Sequence, residues 1–173
     1  MKAKIYVVLI ALVTSLSLCA QTSGTCGPNL TWTLNNGVLR VSGEGNMTSA
    51  PWLEDDVEQD VIHAIIGDSV TNICRRAFYK DKELMSISIG NRVSNIGEEA
   101  FEDCHSLKTV SLPNSVKSIE KEAFYDCYLT SINLGDSIVS IGESAFGYGD
   151  FNTITLPSSI TSIGWRSRSK SVV

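Results

Sequence analysis

Ile96-Gly97-Glu98-Glu99-Ala100-Phe101 and Ile141-Gly142-Glu143-Ser144-Ala145-Phe146 are two copies of one hexapeptide, Ile-Gly-Glu-x-Ala-Phe. Looser copies precede and separate them: Ile73-Cys74-Arg75-Arg76-Ala77-Phe78 and Ile119-Glu120-Lys121-Glu122-Ala123-Phe124. Successive phenylalanines stand 23, 23 and 22 residues apart. A period in this range marks a solenoid, because one such unit cannot bury its own apolar face and must stack on its neighbours. A stack of rungs offers long side surfaces, which suits binding better than chemistry.

Two apolar strips lead into each hexapeptide. The first is Ser86-Ile87-Ser88-Ile89, matched by Thr109-Val110-Ser111-Leu112, Ser131-Ile132-Asn133-Leu134 and Thr153-Ile154-Thr155-Leu156. Its strict alternation predicts a strand with one buried face. The second strip spans 70–73, 93–96, 116–119, 138–141 and 160–163. Turn residues such as Pro113-Asn114-Ser115 and Pro157-Ser158-Ser159 separate the strips. The Gly-x-x-Ala-Phe portion reads as a short helical turn in which Ala permits close approach and Phe plugs the core. Phe78, Phe101, Phe124 and Phe146 are therefore expected in one stacked column. The expected architecture is an α/β solenoid of about four to five rungs over 61–164, with short parallel strands and short helical turns.

Upstream the pattern changes. Leu30, Trp32 and Leu34 alternate, Asn35-Asn36-Gly37 turns the chain, and Leu39 and Val41 alternate again. Asn-Gly between alternating runs predicts a β-hairpin. Residues 21–60 read as a leader and N-terminal cap, with Trp32 and Trp52 large enough to cover the open end of a stack. Residues 1–20 read as a signal peptide: Lys2 and Lys4, an apolar run from Ile5 to Val13, then small residues up to Ala20. That run is too short to span a bilayer. Cys19 opens a second route, lipid attachment at the membrane, against which stands the large Leu18 before it.

Export permits disulfides among Cys26, Cys74, Cys104 and Cys127. Cys104 and Cys127 share a repeat position, within bridging distance if rungs stack, yet such cysteines also serve as small buried apolar residues. No CxxC or nearby histidine completes a zinc site. A net charge of −5 without a basic stripe argues against nucleic acid.

Chemistry has little footing, and the chain reads as no enzyme, with no cofactor and no metal. His63 and His105 lie far apart in repeat position, and His105 reads as an exposed loop residue. Without a nucleophile paired to a base there is no catalytic set. Glu98, Glu99, Glu120, Glu122 and Glu143 read as a solvated edge. Asp55, Asp56, Glu58 and Asp60 lack the spacing and glycine of a calcium loop. More informative are the outward positions of the alternating strand: Ser86 and Ser88, Thr109 and Ser111, Ser131 and Asn133, Thr153 and Thr155. Stacked, they form a flat ladder of hydroxyl and amide groups. The plain reading is a solvated strand face; the functional one is a recognition platform for an extended protein or a glycan.

The unit Leu107-x-x-Val110-x-Leu112-Pro113-x-Ser115-Val116-x-x-Ile119, with its following Ala-Phe-x-x-Cys run, closely resembles the BspA-type leucine-rich repeat. The leader resembles the region that often precedes such repeats: Gly24-Thr25-Cys26-Gly27, Leu30-Thr31-Trp32, Ser42-Gly43-x-Gly45-x-Met47 and Pro51-Trp52. The likeness covers about 24–164. It implies a right-handed leucine-rich-repeat superhelix in a secreted or cell-surface protein, working by protein binding, with adhesion to host matrix or other cells as one setting. A glycan-binding accessory of nutrient uptake and a structural envelope component are the alternatives. The chain departs from the pattern at Trp165-Arg166-Ser167-Arg168, where Ala-Phe is due. An irregular tail over 165–173 is expected, with self-association through the uncovered last rung.

Overall fold

The computed structural model describes residues 22–53, 60–151 and 153–166. The expected signal segment, Cys19, the acidic residues Asp55, Asp56 and Glu58, and the tail from 167 onward lie outside the described residues. Among the described residues no helix is long and apolar enough to cross a membrane.

Thirteen short strands are described: β1 Ser23–Gly27, β2 Leu30–Asn35, β3 Val38–Gly43, β4 Gly45–Asn46, β5 His63–Ile66, β6 Val70–Ile73, β7 Ser86–Ser88, β8 Asn95–Ile96, β9 Thr109–Ser111, β10 Ser118–Ile119, β11 Ser131–Asn133, β12 Ser140–Ile141 and β13 Ser162–Ile163. Strands β2 and β3 form an antiparallel hairpin whose two loop residues, Asn36 and Gly37, have φ of 50° and 74°. That left-handed pair is what a type I′ turn requires. Strand β3 then pairs in parallel with β5, and β5 with β7, so the hairpin continues the first sheet of the solenoid. Strands β9 and β11 pair in parallel on the same side as a separate two-stranded piece. The second sheet runs in the order β13-β12-β10-β8-β6-β4. There Ile73, Ile96, Ile119, Ile141 and Ile163 stack at one register position, beside a polar row of Asn72, Asn95, Ser118, Ser140 and Ser162. The whole is a β-solenoid of about five turns.

The expected helical turns are not formed among the described residues, which make a β-solenoid in place of the expected α/β one; their sole helical element is the 3-10 turn Pro51–Leu53. Each Ala-Phe segment is instead a run of tight turns, such as Ala77 N–H to Cys74 O at 3.3 Å and Asp81 N–H to Phe78 O at 3.1 Å. Other N–H groups of the segment, which a helix would spend four residues back, go to the next rung: Arg76 to Glu98 O, Phe78 to Ala100 O and Lys80 to Glu102 O, at 3.0, 2.7 and 2.8 Å. Phe101 and Phe124 repeat the bond to Ala123 O and Ala145 O, both at 2.8 Å. Turning this tightly forces left-handed backbone at two places per rung: Arg76 and Lys80, Glu99 and Asp103, Glu122 and Asp126, Ser144 and Tyr148. Gly97 has a different cause. A Cβ there would lie 2.7 Å from the Cys74 carbonyl carbon, since the rungs meet backbone to backbone.

Inside, the four phenylalanines form the expected column. Phe78, Phe101 and Phe124 are fully buried and stack at centroid distances of 5.1 and 4.9 Å, with Phe146 following at 5.8 Å. Trp52 continues the column at 5.9 Å from Phe78, and Trp32 packs edge-on against Trp52 at 5.8 Å. The Trp52 indole donates to Ala77 O at 2.8 Å, so this large buried ring leaves no polar atom unsatisfied. The four thiols are free and buried. Cys104 and Cys127 donate to Phe78 O and Phe101 O at 3.0 and 2.7 Å, and burial pushes Cys26 and Cys74 up to about 11.

Candidate functional site

All eight outward residues of the alternating strip are exposed. Six lie on strands, because alternation on β7, β9 and β11 turns one side chain in and the next out. Thr109 stands opposite Ser131, and Ser111 opposite Asn133, whose Nδ2 donates to Ser111 Oγ at 3.3 Å. Thr153 and Thr155 keep the alternation, with Ile154 buried between them, but no strand forms at 153–156. Where that rung leaves the sheet a groove of about 280 Å³ opens, lined by Ile132, Asn133, Leu134, Gly135, Asp136, Thr155 and Pro157. It joins one residue from each of the last two steps of the ladder.

The ladder also extends further than the repeats. Ser86 is in register with His63, and His63 with Val38. Ser88 is in register with Ile65, Ile65 with Arg40, and Arg40 with Thr33 on the hairpin. Thr31 faces Thr25 on β1, and Thr25, Thr31, Thr33, Arg40 and Ser42 are all exposed. His63 Nδ1 lies 2.8 Å from Ser86 Oγ, which ties the hairpin side of the face to the repeat side. These residues were not among the expected ladder, although Thr31 and Thr33 alternate with Leu30, Trp32 and Leu34 as the repeat strands do. The resulting face is mainly polar, interrupted by the half-buried Val38 and Ile65. Its rows follow the strand spacing of about 4.8 Å, and its donors and acceptors suit an extended chain.

Along the turn edge the carboxylates are not simply solvated. Glu99 is nearly buried and takes the guanidinium groups of Arg76 and Arg75, the latter at 3.2 Å. The Arg76 hydrogen bond, opposed in part by burial, holds Glu99 below the usual carboxylate range. Glu102 is shifted upward by burial and by the carboxylates of Glu99, Asp103 and Glu122. Glu120 accepts from the Glu98 N–H at 3.0 Å and from Asn95 Nδ2 at 2.9 Å. His105 is half-buried rather than exposed, its ring stacked on Tyr128 at 4.8 Å. Tyr79 lies under Arg76 and Lys80, and Tyr125 meets Tyr148 edge-on at 5.2 Å. His63 and His105 belong to opposite regions of this layout, one on the sheet face and one on the turn edge, so no catalytic pair is assembled from them.

Solved structures share this fold. A leucine-rich repeat protein from Eubacterium ventriosum superposes with a TM-score of 0.68 at 20% identity, over 82% of this chain and 39% of that one. The Treponema pallidum leucine-rich repeat protein gives 0.61 at 21%, over 83% and 66%. A leucine-rich repeat protein from Bacteroides ovatus gives 0.58 at 31%, over 79% and 36%. The chain therefore spans from 36% to 66% of the length of these relatives. No match is found among curated proteins. The BspA type leucine rich repeat region matches residues 71–171 in six copies. With that match running over more than half of the sequence, the chain belongs to the BspA-type leucine-rich repeat family.

Proposed function

We propose that this chain is an exported, non-catalytic binding module that recognises a macromolecule, in the first place a protein, along its polar sheet face. Adhesion at a bacterial surface is the setting in which such a module acts. The observation that carries the reading is the exposure of all eight ladder residues on one side of the stack, joined by the threonines of the hairpin. Backbone bonds between rungs and the aromatic column hold the fold, so these side chains are free to meet a partner. In this reading residues 1–20 direct export, 21–60 close the N-terminal end, 61–164 form the repeat body and 165–173 are an irregular tail, although its first residue, Trp165, still accepts the Ser144 N–H at 2.9 Å as the preceding rungs do.

A glycan ligand is the second reading. The groove beside Asn133, Asp136 and Thr155 favours it, since it sets amide, carboxylate and hydroxyl groups around one concavity. Both readings are tested by changing Thr109, Ser111, Ser131 and Asn133 together to Lys. Wild type and variant are passed over immobilised host extracellular-matrix proteins and over a glycan array. Loss of a wild-type signal in a variant with unchanged circular dichroism supports the sheet face. An unchanged signal moves the site to the turn edge or the hairpin end.

A further inference from the structure

We propose that Asp103, His105 and Asp126 form a site for a divalent transition-metal ion, zinc by the chemistry of the donors, at the seam between two consecutive rungs. Asp103 and Asp126 hold the same repeat position, the second left-handed residue of their turns, with φ of 61° and 50°. Their side chains therefore leave adjacent rungs side by side, tied by the Asp103 N–H bond to Tyr125 O at 3.0 Å. Two stacked carboxylates repel unless something positive joins them. Asp126 faces the imidazole of His105.

The imidazole is already oriented. Stacking on Tyr128 at an interplanar angle of 10° fixes its plane, and Lys108 Nζ donates to the His105 carbonyl at 2.9 Å. Its Nε2 is shielded from solvent and has no hydrogen-bond partner. The Asp126 carboxylate stands 3.8 Å away, too far for a hydrogen bond. One donor atom from each of the three residues lies within 4.8 Å of the others. A tetrahedral ion with bonds of about 2.1 Å holds its ligand atoms about 3.4 Å apart. Binding therefore requires the Asp103 and Asp126 carboxylates to rotate in towards the imidazole, with water as the fourth ligand. One nitrogen and two carboxylates suit zinc, whereas calcium takes six to eight oxygens. The other cluster of acidic groups, Glu99, Glu102 and Glu122, differs because two arginines already occupy Glu99.

The test uses the full chain, stripped with EDTA and titrated with zinc chloride by calorimetry, with cobalt chloride as an optical probe. The expected result is one zinc per chain and a melting temperature that rises with zinc. The cobalt spectrum should show weak visible bands of nitrogen and oxygen ligation. His105→Ala should lower zinc affinity by at least roughly 100-fold, the upper range for losing even an outer-sphere partner. Asp126→Asn should weaken binding in the same direction, while His63→Ala leaves it unchanged. Variants are checked by circular dichroism, and Asp126→Asn serves if His105→Ala does not fold. Equal zinc affinity in wild type and the site variants overturns the proposal. So does an intense sulfur-to-cobalt band, which places the metal on cysteine, or equal stabilisation by magnesium or calcium chloride.

Discussion

Phe124→Ala removes the ring at the centre of the aromatic column. Phe124 is fully buried, with Phe101 stacked 4.9 Å to one side at 4° and Phe146 5.8 Å to the other at 18°. Truncating a buried phenylalanine costs about 3–5 kcal/mol. Two considerations favour the upper part of that range. Both ring contacts vanish together, each worth about 0.5–1.5 kcal/mol beyond area. The walls also cannot close on the void, because β10 and β12 are held in register by backbone bonds on one side and the turn bonds on the other. A loss of 3–5 kcal/mol corresponds to a fall of about 6–20 °C in melting temperature for a chain of this size. Phe146→Ala should cost less, since Phe146 has its neighbours at 5.8 Å and, edge-on to Phe151, at 6.0 Å. Exposed Ser111→Ala should stay within about 0.5 kcal/mol. Urea and thermal melts followed by circular dichroism order the three. If Phe124→Ala and Ser111→Ala behave alike, the inward and outward assignment of the repeat is wrong.

Two further predictions concern pH. Glu99 has its folded value depressed by Arg76, so its contribution is present above the ordinary glutamate range of about 4.3 and is lost as pH falls through the folded value; the stability gap between wild type and Glu99→Gln should be open at pH 7 and narrow steadily as pH falls below that range, and a gap independent of pH would sink the assignment. Asp81 shows the opposite sign: burial, with the Asp60 carboxylate adding to it, raises it to about 7, and its Oδ2 is buried without a hydrogen-bond partner. The folded chain then keeps a proton that the unfolded chain releases above about 3.9, so stability should decline between that pH and 7; Asp81→Asn should flatten the slope in melts from pH 4 to 8, and an unchanged slope would assign it elsewhere.

The period was legible because inward positions of a stacked rung admit few residue types, so Ile, Ala and Phe recur at fixed offsets. The hairpin was legible because Asn36 and Gly37 suit left-handed backbone. The turn layer was not. Whether an N–H bonds four residues back or to the next rung depends on a partner about 22 residues away, and local sequence is silent on that choice. The left-handed positions carried no warning either, since Arg76, Glu99, Glu122 and Ser144 hold them instead of glycine. His105 was misread for the same reason: the ring that covers it, Tyr128, belongs to the next rung. Exposure of the ladder could be read from alternation, but its extension onto Arg40, Thr33 and Thr31 follows from the parallel register of β3 with β5, which no local pattern encodes. At 153–156 the alternation predicts burial correctly and strand pairing incorrectly, since burial is decided by the rung below and pairing by backbone alignment.

The three sides of the stack thus carry different constraints. On the second sheet, small polar side chains bond to each other and to backbone, as Asn72 does with Met47 in both directions at 2.8 and 3.2 Å. On the turn edge, ionic and aromatic contacts join one rung to the next, so a change there disturbs its neighbour. On the ladder face the contacts between side chains are sparse, and the strands beneath are held by backbone bonds that any residue but proline can make. A substitution there alters what the surface offers to a partner while leaving the stack intact. That separation of structural load from exposed chemistry is the physical ground on which we propose the sheet face, and not the turn edge, for recognition.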